Sequence, residues 1–366
     1  TYGDSIGFAR LGDGSLGGKA RGLAFMNSML IKYRLYDKYP DVRVLIPRTI
    51  VIATDYFDAF IRGNGLKYVI SKELSDDEIL SEFIGSTLPT ELTEQLRVYI
   101  RTVHSPLAVR SSSKLEDSHY QPFAGIYSTY MIPYVENEDQ MLRLLFKAIK
   151  SVYASVYFAE SRAYIQSSQN LISEEKMAVV VQEVCGTEQD GLFFPTLSGV
   201  ARSINYYPIG DEAAEEGVCN VAMGLGKLVV DGGRTLRFSP KYPQKVLQTS
   251  TPELALRETQ NEVLALDLNP EAFKTSIDDA VNIRRLDLSD IAQFRNTRFV
   301  ASTWDRENER ISDSPFAKGH KVITFNGILK YGTFPLAEIV SDILKLGAEE
   351  MRCPVEVEFA VNMDVP

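Results

Sequence analysis

Glycines at positions 12, 14, 17 and 18, followed at once by Lys19 and a run of helical spacing, constrain this chain more than any other feature. Glycine admits backbone conformations closed to other residues and lets another group approach the main chain closely, so LGDGSLGGKARGL must turn sharply. The run that follows, Lys19 to Tyr33, carries apolar residues at Leu23, Met26, Leu30 and Ile31, close to helical spacing. A helix beginning at a glycine turn presents free N–H groups and a positive dipole end, and a lysine in its first turn completes an anion site. The competing reading is a helix-entry turn with a solvated Lys19.

Two familiar templates fit only in part. Walker A fails because Ala20 stands where Ser or Thr should follow the lysine. Gly12, Gly14 and Gly17 satisfy a literal GxGxxG, and Asp37 lies where a ribose-binding acid would be sought. Yet SIGFAR before them is not a convincing buried strand, so a dinucleotide fold has little support.

A second polar segment, LAVRSSSKLEDSHYQPFAGIYST, reads as a strand ending in Arg110 and the hydroxyls of Ser111 and Ser112. A fixed guanidinium beside small donors suits a polyphosphate. The alternative is a surface salt bridge from Arg110 to Glu116 or Asp117, with Gly125 merely a turn.

The remaining pattern is α+β. Around Pro47, RVLIPRTIVIATDYF shows two strand-like runs, followed by helix-prone sequence to about Ile100. Residues 137–162 have helical spacing, and KMAVVVQEV is a buried strand. From Gly191 to Pro208, and again through GVCNVAMGLGKLVVDGGRTLRF, short β-runs are broken by glycine and predict antiparallel strands and turns. Residues 245–320 are the least readable part and carry no assignable chemistry. Pro335 opens an amphipathic helix, and PVEVEFAV alternates as a strand.

Charge and composition exclude several classes. A net charge of −10 offers no basic field for a nucleic-acid backbone or an anionic membrane surface, so local basic residues must bind any anion. The apolar runs fall short of the roughly 18–20 residues that span a bilayer. The first residues lack a secretory pattern, and Cys185, Cys219 and Cys353 are too few and scattered for a disulfide framework or zinc site. A reducing cytoplasm is the expected location.

In order and spacing, these segments resemble the N-terminal nucleotide-binding domain of the phosphoenolpyruvate synthase and pyruvate phosphate dikinase family. The family pattern appears as Gly17-Gly18-Lys19, Val109 to Ser112, Glu116-Asp117, Phe123 to Gly125 and Thr129. It continues as Val181-Gln182, Ser198 to Val200, Gly224 to Gly232 and PVEVEFA at 354–360. The resemblance implies a two-lobed ATP-grasp-like fold with nucleotide between the lobes, here 1–185 and 186–366. It implies that Lys19 and Arg110 engage ATP phosphates as catalytic groups, with Gly17, Gly18, Ser111, Ser112 and Thr129 around them. It also implies that Gln182, Glu183 and Val184 line the adenine pocket, the backbone of the last two reading the base edge. Glu356 and Glu358 match the family's acidic pair, the second expected to hold magnesium. Alternate strand residues share a face, so both carboxylates point one way and suit Mg²⁺ bridging phosphates; two solvated glutamates are the plain alternative.

The same resemblance implies an ATP-dependent phosphotransferase that passes a phosphoryl group to a histidine on a separate swivelling domain, and finally makes phosphoenolpyruvate from pyruvate. The implied partners are ATP, the phosphohistidine and pyruvate-binding domains, and a second copy in a homodimeric full enzyme, with no nucleic acid and no membrane. None of His104, His119 or His320 stands in the family's histidine motif, and the chain stops short of the Gln and Arg that follow the acidic pair. The expectation is therefore a C-terminally incomplete piece of a longer enzyme, inactive overall by itself. Departures are Lys227 in place of Glu after GLG, Pro122 before FAG, and His119-Tyr120 after the acidic ED pair. They leave open a related dikinase with a glucan or antibiotic acceptor, or a nucleotide-sensing module without transfer.

Overall fold

The computed structural model describes residues 7–113, 127–167 and 175–363. The chain divides into two compact units, one made of residues 1–184 with 267–282, the other of 185–266 with 283–366. The architecture is α+β in both.

The first unit is built on five strands: β1 (Phe8–Leu11), β2 (Thr49–Ile52), β3 (Leu107–Ser113), β4 (Thr129–Ile132) and β5 (Met177–Glu183). Their order is β1-β2-β5-β3-β4. Only β1 and β2 run parallel, and β5 pairs antiparallel with both β2 and β3. β5 is buried from Met177 to Gln182, because helices cover both faces of the sheet; a strand so placed reads as a continuous apolar run.

One face carries α1 (Gly17–Lys32), packed through Ala20 against Val51 and Val180. The opposite face carries α2 (Thr54–Gly63), α3 (Tyr68–Ser71), α4 (Asp76–Gly85), α5 (Thr90–Ile100), α6 (Glu138–Ser155) and α7 (Ala159–Ser167). Phe57, Phe60, Phe83 and Tyr153 pack edge-on or tilted there, within one large apolar core. Local signals set the helix starts. Ser75 and Glu78 form a capping box on α4, and Asn137 caps α6 through the Gln140 N–H.

Of the two strand-like runs around Pro47, only the second is a strand. Pro47 lacks the N–H a ladder needs, and Thr54-Asp55, a helix-start pair, turns the end of the second run into α2.

The segment Asp267–Asn282 belongs to the first unit, whereas a single division at 185/186 assigns it to the second. Its reason is the open edge of β4. Asp279 accepts the Thr129 N–H at 2.8 Å, the Asn282 side chain donates to Met131 O at 2.8 Å, and Tyr130 Oη donates to Ser276 O at 2.9 Å. Edge groups left unpaired would otherwise need water or another strand.

The second unit holds three small sheets. β6 (Thr187–Gln189), β7 (Leu192–Phe194), β11 (Glu262–Asp267) and β12 (Ile283–Asp287) form one, in the order β12-β11-β7-β6. The second is β10-β9-β8-β16, from β8 (Leu197–Arg202), β9 (Val218–Ala222), β10 (Leu236–Phe238) and β16 (Glu356–Val361). The third joins β13 (Ala301–Asp305), β14 (Arg310–Ser312) and β15 (His320–Ile323) in the order β14-β13-β15. The helix Leu336–Met351 follows Pro335, and no helix among the described residues is long and apolar enough to cross a membrane.

Between β9 and its antiparallel partner β10, the glycine-broken run leaves the sheet. Gly224, at φ +90°, turns the chain, and Lys227–Val230 forms a single helical turn, α8. A Cβ on Gly224 would sit 2.6 Å from Leu264 O, so this glycine serves the close bridge from Gly224 to β11.

Candidate functional site

Register places the polar residues of the first unit. Arg110 on β3 lies opposite Val180 of β5 and Thr129 of β4, and Val180 lies opposite Val51. Alternate strand residues share a face, so Arg110, Ser112, Thr129 and Gln182 lie on the face where Val51 and Val180 meet α1. Lys19 stands in the first turn of α1, on that face, and its ammonium donates at 3.2 Å to Ser111 Oγ, the residue of β3 between Arg110 and Ser112, which alternation assigns to the other face. Ser111 and Ser112 are fully buried.

The glycine turn is fastened on two sides. Towards β3, Ser112 Oγ donates to Leu16 O at 2.8 Å and accepts the Ala20 N–H at 3.1 Å. A Cβ on Gly17 would lie 2.0 Å from Ser112 O, and its φ of +70° is left-handed, so glycine is required there. Towards α2, the Asp13 and Gly14 N–H groups donate to the Asp55 carboxylate, each at 3.0 Å. The Ser15 N–H donates to Thr54 Oγ1 at 2.9 Å. Arg10 donates to Gly12 O and Gly14 O at 2.8 and 3.0 Å. Burial alone would raise the Asp55 pKa, but the backbone N–H bonds from Asp13, Gly14 and the start of α2 hold it below the ordinary value. Spacing alone did not single out Asp55; the helix-start pair after a buried strand is the only signal it carries.

Gln182 and its neighbours sit at the end of β5. The Gln182 amide donates to Thr49 Oγ1 at 2.8 Å. The Glu183 N–H donates to Arg48 O at 3.0 Å and the Val184 N–H to Pro106 O at 2.9 Å. Both backbone donors therefore serve the fold in this conformation. Cys185, next along, is pushed up to about 11 by burial, which removes it as a nucleophile near neutral pH.

In the second unit, Glu356 and Glu358 occupy the exposed side of β16, with Val357 and Phe359 on the more covered side. Glu356 faces Arg202 of β8 and accepts a hydrogen bond from its guanidinium; Glu358 faces Val200. Two carboxylates suit a divalent ion that takes its other ligands from phosphate and water. Among the described residues, no group of three or more His, Cys, Asp or Glu side chains is placed to hold a metal by itself. Lys227 lies in the first turn of α8 and pairs with Asp231 at 3.4 Å. The motif residues Glu116, Asp117, Phe123, Ala124 and Gly125, and with them His119 and Pro122, lie outside the described residues. His104 is within 3.3 Å of Tyr134 Oη.

The family described as "Pyruvate phosphate dikinase, AMP/ATP-binding domain" matches residues 13–365. An uncharacterized phosphotransferase of Bacillus subtilis is 30% identical over 52% of this chain and 20% of its own length. A probable phosphoenolpyruvate synthase of Staphylothermus marinus is 26% identical over 63% of this chain and 27% of its own. The prodigiosin synthesizing transferase of Serratia marcescens is 28% identical over 53% of this chain and 20% of its own. The chain thus spans between a fifth and about a quarter of the length of these relatives.

Proposed function

The chain belongs to the pyruvate phosphate dikinase AMP/ATP-binding domain family, and on that premise we propose that it binds Mg-ATP and supplies the phosphoryl group that a dikinase passes to a histidine on another domain. The observation that carries this reading is that Arg110, Ser112 and Thr129 share the sheet face that α1 covers, with Lys19 in the first turn of α1, at the end of a glycine turn and bonded to Ser111 of the same strand as Arg110. Two cations and the Thr129 hydroxyl would supply charge and a donor for a polyphosphate, and the first turn of α1 would add backbone N–H groups, while the Ser112 hydroxyl, already bonded to Leu16 O and the Ala20 N–H, holds α1 against β3. Phosphoryl transfer asks mainly for positioning and charge neutralisation, which such a set provides.

Glu358, with Glu356, would hold magnesium; the ion, when bound, would neutralise phosphate charge. Both glutamates stand on one exposed strand face, in keeping with that role. Gln182 and the backbone after it would flank adenine. The ATP-grasp-like fold is what family membership implies for the pair of units.

Formation of phosphoenolpyruvate from pyruvate is the overall reaction we propose for the whole enzyme, in line with the relative from Staphylothermus marinus. The relative named for prodigiosin synthesis supports a second reading, in which the same ATP chemistry serves another acceptor. Calorimetric titration of the chain with ATP, with and without Mg²⁺, and with NAD, tests the core of the proposal. ATP should bind, more tightly with Mg²⁺, and NAD should not compete; tighter binding of NAD than of ATP overturns it.

A further inference from the structure

The glycine turn already holds an anion of the protein's own. Asp55 accepts the Asp13 and Gly14 N–H groups, each at 3.0 Å, and Thr54 Oγ1 accepts the Ser15 N–H at 2.9 Å. The turn's carbonyls are engaged as well: Arg10 binds Gly12 O and Gly14 O, and the Thr54 N–H donates to Ser15 O at 3.0 Å. Glycines 12 and 14 are the condition for this arrangement. A Cβ on Gly12 would lie 2.5 Å from the Asp55 carboxylate, and one on Gly14 would lie 2.5 Å from the Asp55 backbone nitrogen. The space these glycines leave is therefore filled by the start of α2, with no room there for a ligand phosphate.

We propose that Asp55 is a positioning residue for the nucleotide phosphates. Its carboxylate occupies the N–H groups of residues 13 and 14, fixes the turn, and so restricts phosphate to the first turn of α1, where Lys19 stands. Ser112 fastens the other side of that turn to β3, the strand that carries Arg110. Between the two clamps, the first turn of α1 that carries Lys19 is fixed against β3, which carries Arg110, before any ligand arrives. Preorganisation of this kind lowers the ordering cost of binding. The inference rests on the ATP-binding reading above and adds how that site is built.

The test compares ATP with adenosine, which lacks the phosphates. Asp55→Asn keeps the side chain's shape but turns one acceptor into a donor aimed at N–H groups. It should weaken ATP by about tenfold while adenosine changes by less than about twofold. In a Lys19→Ala background the same substitution should cost ATP binding little, because its effect runs through Lys19. Thr54→Ala, which removes the Ser15 acceptor alone, should give the same ATP-selective loss at smaller size, and carries the test if Asp55→Asn does not fold.

Loss of ATP and adenosine in equal measure, or additivity with Lys19→Ala, assigns Asp55 to general stability and overturns the inference. Unchanged or tighter ATP binding also overturns it, the latter by placing phosphate in the seat the carboxylate fills. A parent chain that binds no ATP instead removes the reading beneath the inference, so the two failures are distinguishable.

Discussion

Glu356 stands directly opposite Arg202 across the β16–β8 ladder, and the Arg202 guanidinium donates to its carboxylate. Both side chains are about half exposed, at 52% and 46%, so the pair is worth only about 0–1 kcal/mol. A divalent ion at the acidic pair would compete with Arg202 for the same carboxylate. Arg202→Ala should therefore leave the urea midpoint almost unmoved while lowering the Mg²⁺ concentration at which ATP binding is half restored. An unchanged Mg²⁺ requirement would exclude Glu356 from metal binding.

Glu358 gives the complementary result. It shares the exposed face of β16 with Glu356 and lies opposite Val200 in the ladder. Glu358→Gln keeps the shape and removes the charge, so Mg²⁺ should stimulate ATP binding less while metal-free affinity changes little. Equal loss with and without the ion would point to a fold defect.

Lys19→Ala and Arg110→Ala each remove a charge-assisted phosphate contact. Such a contact is typically worth about 1.5–3 kcal/mol, or on the order of tenfold to a hundredfold in ATP affinity. Lys227→Ala is the control. Its i,i+4 pair with Asp231 is partly exposed, so ATP binding should hold to within about threefold, equivalent to under 1 kcal/mol. Titration of the three variants decides the matter, and parent-like binding by both Lys19→Ala and Arg110→Ala would move the site elsewhere.

What could be read beforehand depended on whether the signal was local. The strand ending in Arg110 and the serines, and the helix starting at the glycines, follow from neighbours in sequence. The partners of that turn do not, since Asp55 and Ser112 reach it from other elements, and so the close approaches that glycines 12, 14 and 17 permit, by Asp55, Thr54 and Ser112, carry no signal in the sequence. The same holds for the Glu183 and Val184 N–H groups, which are taken by Arg48 and Pro106. Residues 267–282 were illegible for a related reason. They carry little regular structure, and their place is set by polar side chains that match the open edge of β4. Lys227–Val230 has a strand-like composition, but glycine at 224 and the bridge to β11 force a turn there.

Acid should loosen the joint between α5 and α6. Hydrogen bonds from Arg101 and then Arg97 hold the Glu138 pKa at about 2, below its ordinary 4.5. An unfolded chain takes up that proton at higher pH than the folded one. The contribution is therefore complete above about 4.5, declines as pH falls, and is gone below about 2. Urea midpoints measured across that window should fall less steeply for Glu138→Gln than for the parent; parallel curves would mean the pair contributes nothing.

Two glycines of α1 should respond to alanine with opposite signs. Gly22 lies within the helix and a Cβ there meets nothing within 4 Å, so Gly22→Ala should stabilise by about 0.5–1 kcal/mol through helix propensity. Gly17 begins the helix at φ +70°, a conformation that costs an L-residue roughly 1–2 kcal/mol before any contact is counted. Its new Cβ would also lie 2.0 Å from Ser112 O, a backbone atom that moves only if β3 moves. Gly17→Ala should thus lose more than about 2 kcal/mol and shift the first turn of α1 away from β3. That shift carries Lys19 from Ser111, so ATP affinity should fall even where the variant remains folded. If the variant is as stable as the parent and binds ATP as well, the close approach of Gly17 to Ser112 is not what seats the helix.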